Sequence, residues 1–236
     1  MKRKVIFLFV FSIFSFCLFA QSNSKNRELS VTSPRMHGDD VEYIQKKLVE
    51  MGFTEIGEID GYYGPKTEKA VKEFQKIIGL SPTGIVGQKE YDFFKKKNAQ
   101  TIMQGIYVWK TTDYTYTEPS EGYKMDGYPY GDIFIKKENK KYPSCCLLFE
   151  RDFYSETYTL IKLNKSTCFL LNEESHAVID DDSGFNPYED MEYEYEQSYY
   201  SMLFTNGVLY KIENGELIKI DDSEIIKFIN YAKTLL

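Results

Sequence analysis

The sequence predicts an α+β protein: a small three-helix N-terminal module, then a mainly antiparallel β domain that closes on a C-terminal helix. Three observations carry this. Between residues 41 and 77, apolar residues recur at steps of three and four, the spacing that gathers them on one face of a helix. Two Asn-Gly pairs, Asn206-Gly207 and Asn214-Gly215, separate three short apolar runs near the end of the chain. Asn-Gly is a strong hairpin signal, because a type I′ turn needs positive φ at both central positions. Last, Asp221-Asp222-Ser223 precedes a stretch with Ile225, Ile226, Phe228, Ile229 and Ala232, which reads as a capped amphipathic helix. Strands grouped ahead of a helix make an α+β domain.

The chain begins Met1-Lys2-Arg3-Lys4, and residues 5–20 form a run of mainly Phe, Ile, Leu and Val. A basic start, a short apolar stretch and small or polar residues around Ala20-Gln21-Ser22 read as a secretory signal peptide over residues 1–20, cleaved near Ala20. The run is short for a membrane span. Cys17 raises a lipoprotein alternative, which Phe16 immediately before it disfavours. No other run is long enough to cross a bilayer, so no transmembrane anchor is expected, and the mature protein is placed in the periplasm or outside the cell. Residues 21–32 read as a linker.

The module spans residues 33–97. Val41, Ile44, Leu48 and Met51 line the first helix, with Asp39 or Asp40 as its N-cap and Gly52 where a left-handed residue ends it. The second opens at Pro65, whose fixed φ suits a first helical position; Ala70, Val71, Phe74 and Ile77 face inward, and Gly79 stops it. A third, over residues 87–97, turns Tyr91 and Phe94 inward. Asp60-Gly61 marks a tight turn between the first two helices.

These residues resemble the type-1 peptidoglycan-binding domain, a three-helix module attached to bacterial cell-wall hydrolases. The resemblance rests on Ile44-Gln45, Asp60-Gly61-Tyr62-Tyr63-Gly64 with Thr67, Ala70-Val71 with Phe74-Gln75, Gly79-Leu80, and Gly84-Ile85-Val86-Gly87. Tyr63 stands where the pattern has Phe, Thr83 where it has Asp, and the usual Trp of the third helix is absent. The resemblance implies peptidoglycan as partner and Gln45, Asp60, Gly61, Tyr62, Tyr63, Thr67 and Gln75 as ligand-binding residues. Tyr62 is the strongest of these, since an aromatic face in a polar turn can stack on a sugar while its hydroxyl forms a hydrogen bond. Gln45 and Gln75 serve either a ligand or the backbone of their loops. His37 reads as a solvated or capping histidine.

The composition changes near residues 95–100. Residues 101–236 hold 24 Asp and Glu against 13 Lys and Arg, and 16 of the 20 tyrosines. They read as a second, β-rich acidic domain of unrecognised family. Strands are expected at residues 101–109, 132–136, 145–150, 156–163 and 167–171, then as a three-strand meander at 199–205, 208–212 and 216–220.

No catalytic residues, metal or cofactor are assigned. The chain has two histidines, His37 and His176, too few for zinc peptidase sites. A Cys145 or Cys146 pair with His176 is chemically conceivable, yet both cysteines sit in an apolar run, where a thiol is inert. Cys168 with Cys145 or Cys146 is the one simple disulfide, with three reduced thiols as the alternative. The acidic stretch over residues 180–196 reads as a solvated loop rather than a calcium site, and its charge excludes nucleic acid as a partner. The reading is an exported peptidoglycan binder whose C-terminal domain is a non-catalytic accessory. Its rivals are a glycan hydrolase that uses C-terminal carboxylates and a module that docks on other cell-envelope proteins.

Overall fold

The first three helices are α1 (Asp39–Glu50), α2 (Pro65–Ile77) and α3 (Gln88–Lys95), with a 3-10 turn at Thr54–Ile56 between α1 and α2. The computed structural model describes residues 26–112, 119–128, 130–136, 139–151, 154–178 and 194–236. The stretch read as a signal peptide and the acidic residues Asp180, Asp182 and Glu189 lie outside them. Helices α1 and α2 stop the same way. Gly52 N–H donates to Val49 O and Phe53 N–H to Leu48 O; Gly79 N–H donates to Lys76 O and Leu80 N–H to Gln75 O. Each pair is a Schellman closure around a glycine of positive φ, 91° at Gly52 and 71° at Gly79. The start of α1 differs from expectation. Its N-cap is Gly38, with no side-chain cap; Asp39 and Asp40 lie inside the first turn, where the Asp40 carboxylate accepts from Arg27 at 2.8 and 2.9 Å and from Val41 N–H at 3.0 Å.

Residues 101–109 are not a strand. They belong to α4 (Ala99–Thr111). Ala99, Ile102, Met103 and Ile106 are buried at helical spacing, so packing overrides the β preference of Ile, Tyr, Val and Trp. Gly105 lets this helix approach the sheet: a Cβ there would lie 2.3 Å from Phe169 Cγ.

Eight strands follow: β1 (Glu121–Lys124), β2 (Tyr130–Lys136), β3 (Ser144–Arg151), β4 (Tyr154–Lys162), β5 (Thr167–Val178), β6 (Glu194–Thr205), β7 (Val208–Glu213) and β8 (Glu216–Ile220). They form one antiparallel sheet in chain order, β1 to β8. Both Asn-Gly turns are present, with φ of 51° and 80° at Asn206 and Gly207 and 51° and 69° at Asn214 and Gly215. Helix α5 (Ser223–Leu235) closes the chain. Asp222 caps it by accepting from Glu224 N–H and Ile225 N–H.

The sheet is covered on both faces. Ile161, Phe169, Leu171 and Ile212 join the core that holds Val41, Ile44, Leu48, Phe74 and Phe93 of the helical module. Leu160, Leu170, Met202 and Phe204 pack on the other face with Ile225, Phe228 and Ile229 of α5. The module is also tied to the sheet by hydrogen bonds. Asn214 N–H donates to Gly79 O and Gly215 N–H to Ile78 O, Ser201 Oγ donates to Ile77 O, and Lys96 Nζ reaches Gly215 O and Glu216. Leu29, ahead of the module, is fully buried and paired with Val86. Among the described residues, no helix is long and apolar enough to cross a membrane.

Candidate functional site

Gln45 is the anchor of the turn between α1 and α2. It is 2% exposed on the buried side of α1. Its Oε1 accepts from Gly61 N–H at 2.9 Å. Its Nε2 donates to Asp60 Oδ1 at 2.9 Å and Tyr62 O at 3.2 Å, with Thr67 Oγ1 at 3.3 Å. A buried amide needs such partners, and here they fix the loop. Asp60 Oδ1 also accepts from Tyr62 N–H at 2.9 Å. The Gln45 hydrogen bond, then the Tyr62 amide and the Arg35 charge, hold the Asp60 carboxyl below its ordinary range.

Two backbone bonds, Gly38 N–H to Gly61 O at 3.0 Å and Tyr63 N–H to Met36 O at 2.8 Å, pair His37 with Tyr62 as an isolated bridge. A strand-like alternation follows. Tyr62 points outward, 48% exposed, and Tyr63 points inward, fully buried. The Tyr62 ring lies against His37, centroids 5.2 Å apart. Beside it runs a groove of about 350 Å³, lined by Arg35, Ile56, Glu58, Asp60, Tyr62, Pro65, Lys66 and Thr67, with Gln45 also in its wall.

Tyr63 and Gln75 do not line this groove. The Tyr63 hydroxyl donates to Gly84 O at 2.7 Å, and burial pushes its pKa up. Gln75 is 1% exposed and repeats the Gln45 device one loop later. Its Oε1 accepts from Gly84 N–H at 2.8 Å, and its Nε2 donates to Ile85 O at 2.9 Å and Glu90 Oε1 at 2.8 Å. Glu90 in turn accepts from Gly87 N–H at the start of α3. The polar atoms of Tyr63 and Gln75 are thus engaged inside the module. Gly61 uses its N–H and its carbonyl within the fold, so it shapes the turn. Arg35, Glu58 and Lys66 were not singled out by the sequence: charged side chains in a turn carry no pattern. The groove offers an aromatic face, both signs of charge and hydrogen-bonding groups. It suits recognition of a polar polymer.

The cysteine–histidine pairing fails. Cys145 faces Leu160, which faces Leu170, six residues before His176 on β5. At roughly 3.4 Å per residue this is about 20 Å. Cys145, Cys146 and Cys168 are fully buried thiols.

Residues 37–93 match the family model described as a putative peptidoglycan binding domain. The chain is 48% identical over 62 residues to the N-acetylmuramoyl-L-alanine amidase CwlL of Bacillus licheniformis, a match covering 24% of this chain and 17% of the relative. It is 44% identical over 56 residues to the amidase CwlA of Bacillus subtilis, covering 22% and 21%. It is 38% identical over 52 residues to the amidase CwlM of Mycobacterium tuberculosis, covering 22% and 13%. The chain therefore spans about a fifth or less of the length of these relatives. No solved structure matches.

Proposed function

We propose that the protein is exported and holds peptidoglycan in the groove beside Tyr62, while the sheet domain serves as a non-catalytic accessory or interaction domain. The family match over residues 37–93 carries this reading. Its physical support is the exposed Tyr62–His37 ring pair, held by a buried clamp, on the rim of a polar groove. Tyr62, Asp60, Arg35 and Lys66 are the ligand residues in this reading, and the buried Gln45 and Thr67 set their geometry. The amidase activity named for the relatives belongs to proteins several times longer than the matched segment, so it is not carried over.

The test is co-sedimentation of the mature full-length protein with purified sacculi. Binding at moderate salt, together with no release of soluble muropeptides, is the expected result. Protein left in the supernatant would make the module a docking surface for another envelope protein. Muropeptide release abolished by one Asp or Glu substitution would make the protein a hydrolase.

A further inference from the structure

The groove beside Tyr62 carries more charge than a neutral sugar calls for. Arg35, Glu58, Asp60 and Lys66 all line it, and all four are exposed. They converge from separate stretches of chain. Arg35 precedes α1, Glu58 and Asp60 lie between the 3-10 turn and Tyr62, and Lys66 sits in the first turn of α2. Arg35 is near enough to Asp60 to help lower the pKa of its carboxyl. The clamp uses Oδ1 of Asp60, and a carboxylate has a second oxygen to offer a ligand. Helix α2 also opens on this groove, at Gly64 and Pro65, without a side-chain cap, so the positive end of its dipole adds to the two cations.

The formal charges cancel, two cations against two anions. A groove of zero net charge exerts no long-range pull on a polyanion or a polycation. Its ionic groups are best served by a ligand that replaces the water they lose on contact. Neutral sugars offer them hydroxyls, whereas groups of opposite charge make shorter and stronger hydrogen bonds. In peptidoglycan the charges lie on the peptide attached to the glycan: carboxylates, and a side-chain ammonium where no cross-link has consumed it.

We propose that the groove grips the peptide portion of peptidoglycan, with Arg35 and Lys66 on a carboxylate and Glu58 and Asp60 on an ammonium. This rests on the peptidoglycan reading above and names the part of the polymer that is recognised. At about 350 Å³ the groove is at the small end of ligand sites, which fits a short peptide end. Aliphatic carbons of that peptide pack on the Tyr62 ring. The site thus selects by paired charges of both signs, which the glycan lacks.

The experiment is isothermal titration of the mature full-length protein with three soluble probes. The first is a disaccharide tetrapeptide whose diamino acid has a free side-chain amine. The second is the same fragment with that amine acetylated, and the third is the disaccharide alone. The expected result is saturable binding of the first, at least fivefold weaker binding of the second and at least tenfold weaker binding of the third. Arg35→Gln and Lys66→Gln change exposed side chains, so both variants should keep the melting temperature, and each should raise the Kd of the first probe at least threefold. Co-sedimentation with intact sacculi is run on the same samples. Sedimentation without a preference for the first probe over the disaccharide, or with an unchanged Kd in both variants, overturns this inference and leaves the peptidoglycan reading standing. Neither sedimentation nor titration overturns both.

Discussion

Tyr62 and Tyr63 are neighbours in the chain with opposite environments, and their substitution should separate binding from folding. Removing the exposed Tyr62 ring with Tyr62→Ala should weaken sedimentation with sacculi and leave the melting temperature nearly unchanged. Phe74→Ala empties a site in the shared core that is 1% exposed, which costs roughly 3–5 kcal/mol and should show as a large melting loss. Equal losses in the two variants would make Tyr62 a core residue. The thiols offer a second check at this scale. Burial pushes the Cys168 thiol up to about 11 and Cys145 higher still, and only the thiolate reacts. A thiol reagent at pH 8 should leave Cys145, Cys146 and Cys168 unmodified in the folded protein and label all three in denaturant. Rapid labelling of the folded protein would contradict their burial. Sequence reading could not separate a ligand glutamine from a clamping one, since both put the same amide beside a turn. Burial makes Gln45 and Gln75 clamps.

Among the elements, the end of α2 is where module and sheet meet most closely. Gly79 has φ of 71°, and a Cβ there would lie 2.8 Å from Ile212 O. Gly207, in the Asn206-Gly207 turn, has φ of 80° with nothing within 4 Å of its Cβ position. Gly207→Ala should therefore cost only the backbone strain, about 1–2 kcal/mol. Gly79→Ala should cost roughly 1–3 kcal/mol more, as overpacking does. Equilibrium denaturation of the two variants measures the difference, and equal costs would mean that the turn at Asn214-Gly215 gives way freely. Helices α1 to α3 and the later strands were legible because their signals are local: glycine stops, a proline start, Asn-Gly turns. Helix α4 was misread because its composition favours strand. The spacing of Ala99, Ile102, Met103 and Ile106 held the right answer, and periodicity outranks propensity when the two conflict.

At the scale of the whole molecule, the helical module and the sheet share one core. Calorimetry of the full-length protein should then give a single unfolding transition; two resolved transitions would mean that the shared core does not couple them. This shared core was not legible in the sequence. The bond from Ser201 to Ile77 spans 124 positions, and no local pattern announces a contact of that separation. The sheet itself is the opposite case, because every strand pairs with the next one along the chain. That order has a consequence for assembly. The helical module precedes the sheet in the chain, and its apolar underside is covered only once β4, β5 and β7 are in place. The hairpins can close one after another along the chain, so the seating of the earliest helices on the middle of the sheet is a step that no single hairpin can complete.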